Sequence, residues 1–270
     1  MLIRIRRAAL WALVVVCAVA GRAPKASAAA EIHKLNFLIS GNPSSLAAEQ
    51  YNNLINNYNS AVLDPRGYEP LKGMHFAWFF QAQLRYFVRP NITVDGGYGN
   101  LQDDQKAEFL PRIKQSIDID TYIKTNVWNV GGSYYLQPYN QGDFQARMYF
   151  SAGLLSLSNT EVNFSKTEDG TDSTSTLGSA VGNTNRYDYT YKGKLEGPGW
   201  YLEGGAHLFF AVRYSVMLGV MYRNMSVSAV PVTLTEFDPS GVAHPQPSPT
   251  GPVEVDLSGV SARMGICIGF

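Results

Sequence analysis

Five segments of this chain alternate at every second position, and one of the two faces so formed carries no charge. They are Met74–Val88, Phe144–Leu155, Trp200–Phe210, Val212–Arg223 and Val260–Phe270. Period two is the signature of a strand, because successive side chains of an extended backbone point to opposite sides. In Val212–Arg223 one face reads Val, Tyr, Val, Leu, Val, Tyr and the other Arg, Ser, Met, Gly, Met, Arg. Over the five strands the second face gathers Arg85, Arg147, Glu203, Arg213, Arg223 and Arg263, with five glycines and few large aliphatics. A soluble barrel or sandwich needs the reverse, large aliphatics filling the inside and charge outside. Here the greasy face has to look outward, into hydrocarbon.

Three weaker segments complete the set. His33–Ser40 sets Leu35, Phe37 and Ile39 against Lys34, Asn36 and Leu38. Asn91–Gly99 sets Ile92, Val94 and Tyr98 against Thr93, Asp95 and glycines, and Thr121–Leu136 ends in Trp128, Val130, Gly132, Tyr134 and Leu136. Eight strands is an even number, as a closed bacterial barrel requires. The expected fold is therefore all-β: an eight-stranded antiparallel transmembrane β-barrel with long extracellular loops and short periplasmic turns. Long connections are expected at roughly 41–73, 100–118, 160–196 and 231–253, and short ones at Arg89-Pro90-Asn91, Pro138–Asp143 and near Ala211. Both termini then lie in the periplasm. Tyr86, Tyr134, Phe144, Phe210, Tyr214 and Phe270 fall on the lipid face near the periplasmic strand ends, the depth at which amphipathic rings anchor a barrel.

Residues 1–30 read as a cleaved secretory signal peptide, with residues 31–270 forming the barrel domain. Arg4, Arg6 and Arg7 precede an apolar run from Ala8 to Ala20, and Ala26-Ser27-Ala28 or Ala28-Ala29-Ala30 offers small residues for cleavage. The run is too short for a spanning helix, which needs ~20 residues. Val16 before Cys17 argues against a lipoprotein signal. Removing this segment takes five basic residues and no acidic one, so a chain of net charge +0 becomes mildly acidic. With no polybasic footprint, nucleic acid is not an expected partner. Cys267 is then the remaining cysteine, which excludes an intramolecular disulfide.

The ending Val260-Ser261-Ala262-Arg263-Met264-Gly265-Ile266-Cys267-Ile268-Gly269-Phe270, alternating and closing on a terminal Phe, resembles the assembly signal of Gram-negative outer-membrane barrels. The architecture over 31–270 is similar to the eight-stranded OmpA/OmpX/OmpW type. That resemblance implies an exported precursor in the bacterial outer membrane, outer-membrane lipid as surroundings, and insertion by the barrel-assembly machinery through Phe270. It implies no single activity, since one fold hosts many functions.

Chemistry-bearing motifs are few. Gly96-Gly97-Tyr98-Gly99 lacks the Lys-Ser/Thr and helix of a phosphate loop and reads as strand glycines. His33, His75, His207 and His244 occur in no zinc-ligand spacing, so neither a metal nor a cofactor is expected. His75, expected on the inner face at the extracellular rim, has no nucleophile or acid that can be named beside it, and no catalytic residue is assigned. Residues 42–61 could form a helix started by Pro43 and the serines, or an asparagine-rich irregular loop. Residues 165–186 read as a Ser/Thr/Gly/Asp-rich loop, and 231–252, with six prolines, as an extended one.

One constellation stands out. Arg85, Asp95, Arg147 and His207 lie about four residues in from the periplasmic ends, and Glu203 and Arg263 about seven or eight, all facing inward. Charges inside so narrow a barrel need partners. They are read as an ion-pair network filling the interior, or as a polar constriction of a small, anion-leaning pore. The chain is accordingly expected to be a non-enzymatic barrel of structural or surface-interaction type. The alternatives are a narrow solute channel, a lipid-modifying or proteolytic barrel enzyme, and a soluble lipocalin-like binder.

Overall fold

A computed structural model describes residues 33–112, 115–136, 139–141, 144–170, 185–195, 198–210, 213–229, 233–237, 242–246 and 254–270. The leader 1–30 and its cleavage sites lie outside these residues. In chain order the elements are β1 (Leu35–Ser45), α1 (Glu49–Tyr58), β2 (Phe76–Arg89), β3 (Ile92–Arg112), β4 (Gln115–Tyr135), β5 (Tyr139–Gln141) and β6 (Phe144–Gly170). They continue as β7 (Asn185–Leu195), β8 (Gly199–Phe209), β9 (Tyr214–Asn224), β10 (Ser226–Ala229), β11 (Thr233–Phe237), β12 (Ala243–Gln246), β13 (Glu254–Asp256) and β14 (Gly259–Gly269).

Eight of these strands close on themselves in the order β1, β2, β3, β4, β6, β8, β9, β14. Every neighbouring pair is antiparallel, and β14 returns to β1 with Asn36 opposite Gly269 and Ser44 opposite Ser261. Closure leaves no free edge in the barrel itself, which a bilayer demands because nothing there can satisfy an unpaired N–H or C=O.

The wall is inverted relative to a soluble protein. Along β2 burial alternates residue by residue, with Phe76, Trp78, Phe80, Leu84, Tyr86 and Val88 exposed and Gln81, Gln83 and Arg85 buried. On β14 the exposed residues are Val260, Ala262, Met264 and Ile266, the last 61% exposed, while Ser261, Arg263 and Cys267 are buried. Such an outward apolar band, around an even number of closed antiparallel strands, is the solution that hydrocarbon selects.

Several expected connections are in fact strand. β3 and β4 each run 21 residues and β6 runs 27, where crossing a bilayer needs ~9–11. The stretches 100–112, 115–118, 160–170 and 185–195, expected as loop, extend the sheet beyond the barrel at the end opposite the short turns. β6 changes partner on the way. Gln145–Leu155 pair with β8 and Thr160–Glu168 with β7. At the changeover the register against β4 slips, and Asn159 takes φ 51°, a left-handed conformation that Asn tolerates better than most residues. The proline-rich stretch does contain extended chain, β11 pairing with both β7 and β12.

Of residues 42–61, 42–45 remain in β1 and Glu49–Tyr58 form α1, continued by a wide turn to Leu63. Leu46, Tyr51 and Ile55 of this segment are buried against Met74, Phe79, Leu101, Ile123, Leu155, Met221 and Leu257. An apolar layer thus stoppers the barrel at its extended end. The asparagines that weaken a helix prediction pin the returning chain. Asn52 accepts from Met74 N–H at 2.7 Å and donates to Met74 C=O at 3.1 Å, and Asn59 holds both backbone groups of Leu71 at 2.9 Å.

Candidate functional site in the barrel interior

Every member of the expected inner set that projects into the lumen is buried: Arg85, Asp95, Arg147, Glu203, His207 and Arg263. Strand alternation aims them there, and glycines opposite make room. A Cβ at Gly219 would collide with the hydroxyl of Tyr149, and one at Gly131 with that of Tyr201.

At mid-depth Arg263 on β14 and Glu203 on β8 form an ion pair of 2.8 Å, both side chains essentially sealed from solvent. Tyr149 donates to the same carboxylate, and Arg263 also donates to Gln81 and, at 3.4 Å, to Gln83. Gln83 passes the connection to Asp95 at 2.7 Å, where Tyr201 (3.0 Å) and Ser133 (3.3 Å) also donate. Gln81 reaches Asn129 at 2.7 Å. The two carboxylates are therefore tied into one hydrogen-bonded web spanning β2, β3, β4, β6, β8 and β14.

Nearer the turns the pairing differs from a chain of ion pairs. Arg85 sits directly opposite Asp95 in the β2–β3 register, yet its Nη1 donates to Tyr135 at 2.8 Å and lies 2.9 Å from Met217 Sδ. Its Nε and Nη2 have no hydrogen-bond partner. The guanidinium also lies 5.6 Å from the Tyr149 ring centre, within cation–π range. His207 bridges Tyr135 (3.1 Å) and Ser215 (2.7 Å). Arg147 stands apart, donating to Gln145 at 3.1 Å and to Pro90 C=O at 2.8 Å. Leu38, Phe87, Tyr135, Tyr149, Met217 and Cys267 pack around these groups.

Arg223 belongs to the interior as well, although the inner set left it out. It donates to Leu257 C=O at 3.1 Å, to Ser45 C=O at 2.9 Å and to the Ser261 hydroxyl, tying β9 to β1 and β14. Its inward parity was readable. Arg213, counted with the inner face, is exposed and precedes β9. Tyr135, Tyr149 and Tyr201 are network members that the sequence reading does not include, though Tyr149 shares the parity of Arg147 on β6 and Tyr201 that of Glu203 on β8. The described buried residues of the lumen include four arginines against two carboxylates, an excess of positive charge.

Elsewhere, Tyr86, Phe210, Tyr214 and Phe270 are exposed on the outer face at the turn end, and Tyr134 is half-buried there. The side chain of Phe144 lies outside the described residues. Phe270 N–H donates to Leu35 C=O at 2.9 Å, which carries the β14–β1 seam one residue beyond β14. His75, expected on the inner face, is exposed ahead of β2, its Nδ1 3.4 Å from Asn52 Nδ2. Gly96, Gly97 and Gly99 are strand residues of β3, paired on both sides. No helix among the described residues is long and apolar enough to cross a membrane, and no group of acidic, His and Cys side chains among them is placed to hold a metal.

An even-stranded, closed, antiparallel barrel with an apolar outside, a polar inside and aromatic residues at its turn end has the build of a bacterial outer-membrane barrel. No protein-family model matches the sequence, and neither does any curated protein. Solved structures similar to it are outer-membrane proteins. OprG from Pseudomonas aeruginosa shares 12% identity over 90% of this chain and 99% of its own, with TM-score 0.42. A major outer membrane protein from Thermus thermophilus shares 12% over 88% and 100%, with TM-score 0.38. Ail, the attachment invasion locus protein of Yersinia pestis, shares 10% over 88% and 98%, with TM-score 0.37. At such identity no activity transfers from them.

Proposed function

We propose that the protein is a non-enzymatic outer-membrane barrel whose interior is structural and whose extended hairpins serve as a surface-exposed interaction platform. The observation that carries this reading is the filling of the lumen. From the turn end, the Tyr135–Tyr149–Met217 packing, the Glu203–Arg263 web and the apolar layer under α1 lie in succession along it. An eight-stranded barrel has an interior just wide enough for such side chains. Strands at least about twice the length a bilayer needs are consistent with a role outside the membrane. In this reading the turn end faces the periplasm, residues 1–30 direct export and are removed, and Phe270 is the residue by which the assembly machinery receives the chain.

Membrane fractionation with heat-modifiable migration on SDS gels tests the location; recovery in the soluble periplasmic fraction would overturn it. Planar-bilayer recording of the refolded protein tests the filled interior, and the expected result is no unitary conductance. Discrete anion-selective steps would favour the channel reading, which the arginine excess supports.

A further inference from the structure

On the wall formed by β2, β3, β4 and β6, outward side chains change character from row to row. Leu84, Gly96, Val130 and Leu154 share one row, and Ala82, Tyr98, Trp128 and Ser156 the next. Phe80, Asn100, Asn126 and Ser158 follow, then Trp78, Gln102, Lys124 and Glu161. Within about four rows, each two residues and ~6.6 Å apart along the strand, hydrocarbon-compatible wall gives way to charge.

A cleft of about 810 Å³ opens at that boundary. One side is aromatic. Phe76 and Trp78 of β2 line it, set edge-on at 5.9 Å, and Phe80, outside the cleft, extends their column toward the apolar belt, stacked on Trp78 with centroids 5.8 Å apart. All three rings are about half exposed. The other side is polar, contributed by Gln102, Asp103, Asp104 and Lys106 of β3 and Asp120 and Lys124 of β4. Lys106 and Asp120 pair at 3.6 Å but stay largely solvated, so both remain able to meet a ligand. Asp103 accepts from Gln105 at 3.2 Å.

An aromatic wall facing carboxylate, amide and ammonium groups suits a saccharide, whose C–H face stacks on rings while its hydroxyls bond to polar side chains. The column continues down into the apolar belt, so the occupant also has a hydrocarbon part. We propose that this cleft binds the sugar headgroup of a glycolipid in the outer leaflet, with its acyl chains lying along Trp78 and Phe80. Charged carboxylates, acting as acceptors only, take the sugar hydroxyls, and Lys106 and Lys124 take its oxygens or any phosphate it carries. The assignment rests on the membrane-embedded reading above.

The test uses the full chain refolded into nanodiscs, with heat-modifiable migration verified first so that loss of the barrel is scored separately. Rough lipopolysaccharide is titrated against the protein in phosphatidylethanolamine nanodiscs, with the delipidated core oligosaccharide and phosphatidylglycerol as parallel arms. Saturable binding of the lipopolysaccharide, at least 10-fold tighter than of the free oligosaccharide and absent for phosphatidylglycerol, is expected. The double variant Asp104→Asn/Asp120→Asn should lose at least 10-fold, Trp78→Leu likewise, and Glu108→Gln, outside the cleft, should bind like the parent. Equal response to phosphatidylglycerol, or unchanged affinity in both cleft variants of a folded barrel, overturns the assignment and leaves the barrel reading intact.

Discussion

Replacing Arg263 by Met removes one half of the Glu203 ion pair while keeping an unbranched side chain of similar reach. Glu203 would then remain sealed from solvent with Tyr149 as its donor, and Gln81 and Gln83 would each lose a charged donor. Breaking a buried pair from one side costs about 3–5 kcal/mol, because the orphaned charge keeps its desolvation penalty without its compensation. At about 1.4 kcal/mol per decade, that is a loss of roughly two to three and a half decades in the folding equilibrium. Urea titration of the protein refolded in vesicles, followed by tryptophan fluorescence and gel mobility, reads this as a lowered midpoint at constant slope. The double variant Glu203→Gln/Arg263→Met removes the stranded charge and leaves Tyr149 an acceptor, so it should recover most of the loss. A single-variant loss under about 1 kcal/mol, or a double variant as unstable as the two singles summed, would refute the view that these groups act as one desolvated unit.

The two faces separate at one residue. Leu218→Arg should cost about 2–4 kcal/mol near mid-bilayer, and spin labels at 218 and 266 should relax with lipid-dissolved oxygen while a label at 217 does not. Asn52→Ala and Asn59→Ala each forfeit a two-point grip on the returning chain worth about 1–3 kcal/mol, and should appear as protease cleavage within 59–73 of a barrel whose heat-modifiable mobility is unchanged. Gly99→Leu drives a side chain into the Phe79 ring and should lower the urea midpoint by about 1–3 kcal/mol, whereas Gly96→Ala, whose new methyl meets its nearest neighbours at 3.8 Å, should be close to neutral.

What the sequence by itself determined is the inside and the outside. Alternation fixed which residues of β2, β6, β8, β9 and β14 face the lumen, because the side-chain period of a strand is two and a bilayer tolerates no charge on its side. The same rule hid the extensions. Beyond the membrane β4 and the far end of β3 still bury Ile119, Ile123 and Phe109 on one face, but Asp103-Asp104-Gln105-Lys106 is polar on both faces and carries no hydrophobic period to read, and only pairing with β4 makes these residues strand. α1 is half legible: a helix within 42–61 is one of two readings, because its asparagines oppose helix locally, while Asn52, and Asn59 just past its end, act through backbone groups more than ten residues away. Within the lumen, parity gave direction and depth but not partners. Arg85 and Asp95 are neighbours in register, yet Asp95 takes its hydrogen bonds from Gln83, Ser133 and Tyr201 while Arg85 turns to Tyr135. Which side chains meet across a barrel depends on closure and stagger, and those follow from how all eight strands pair at once rather than from any one of them.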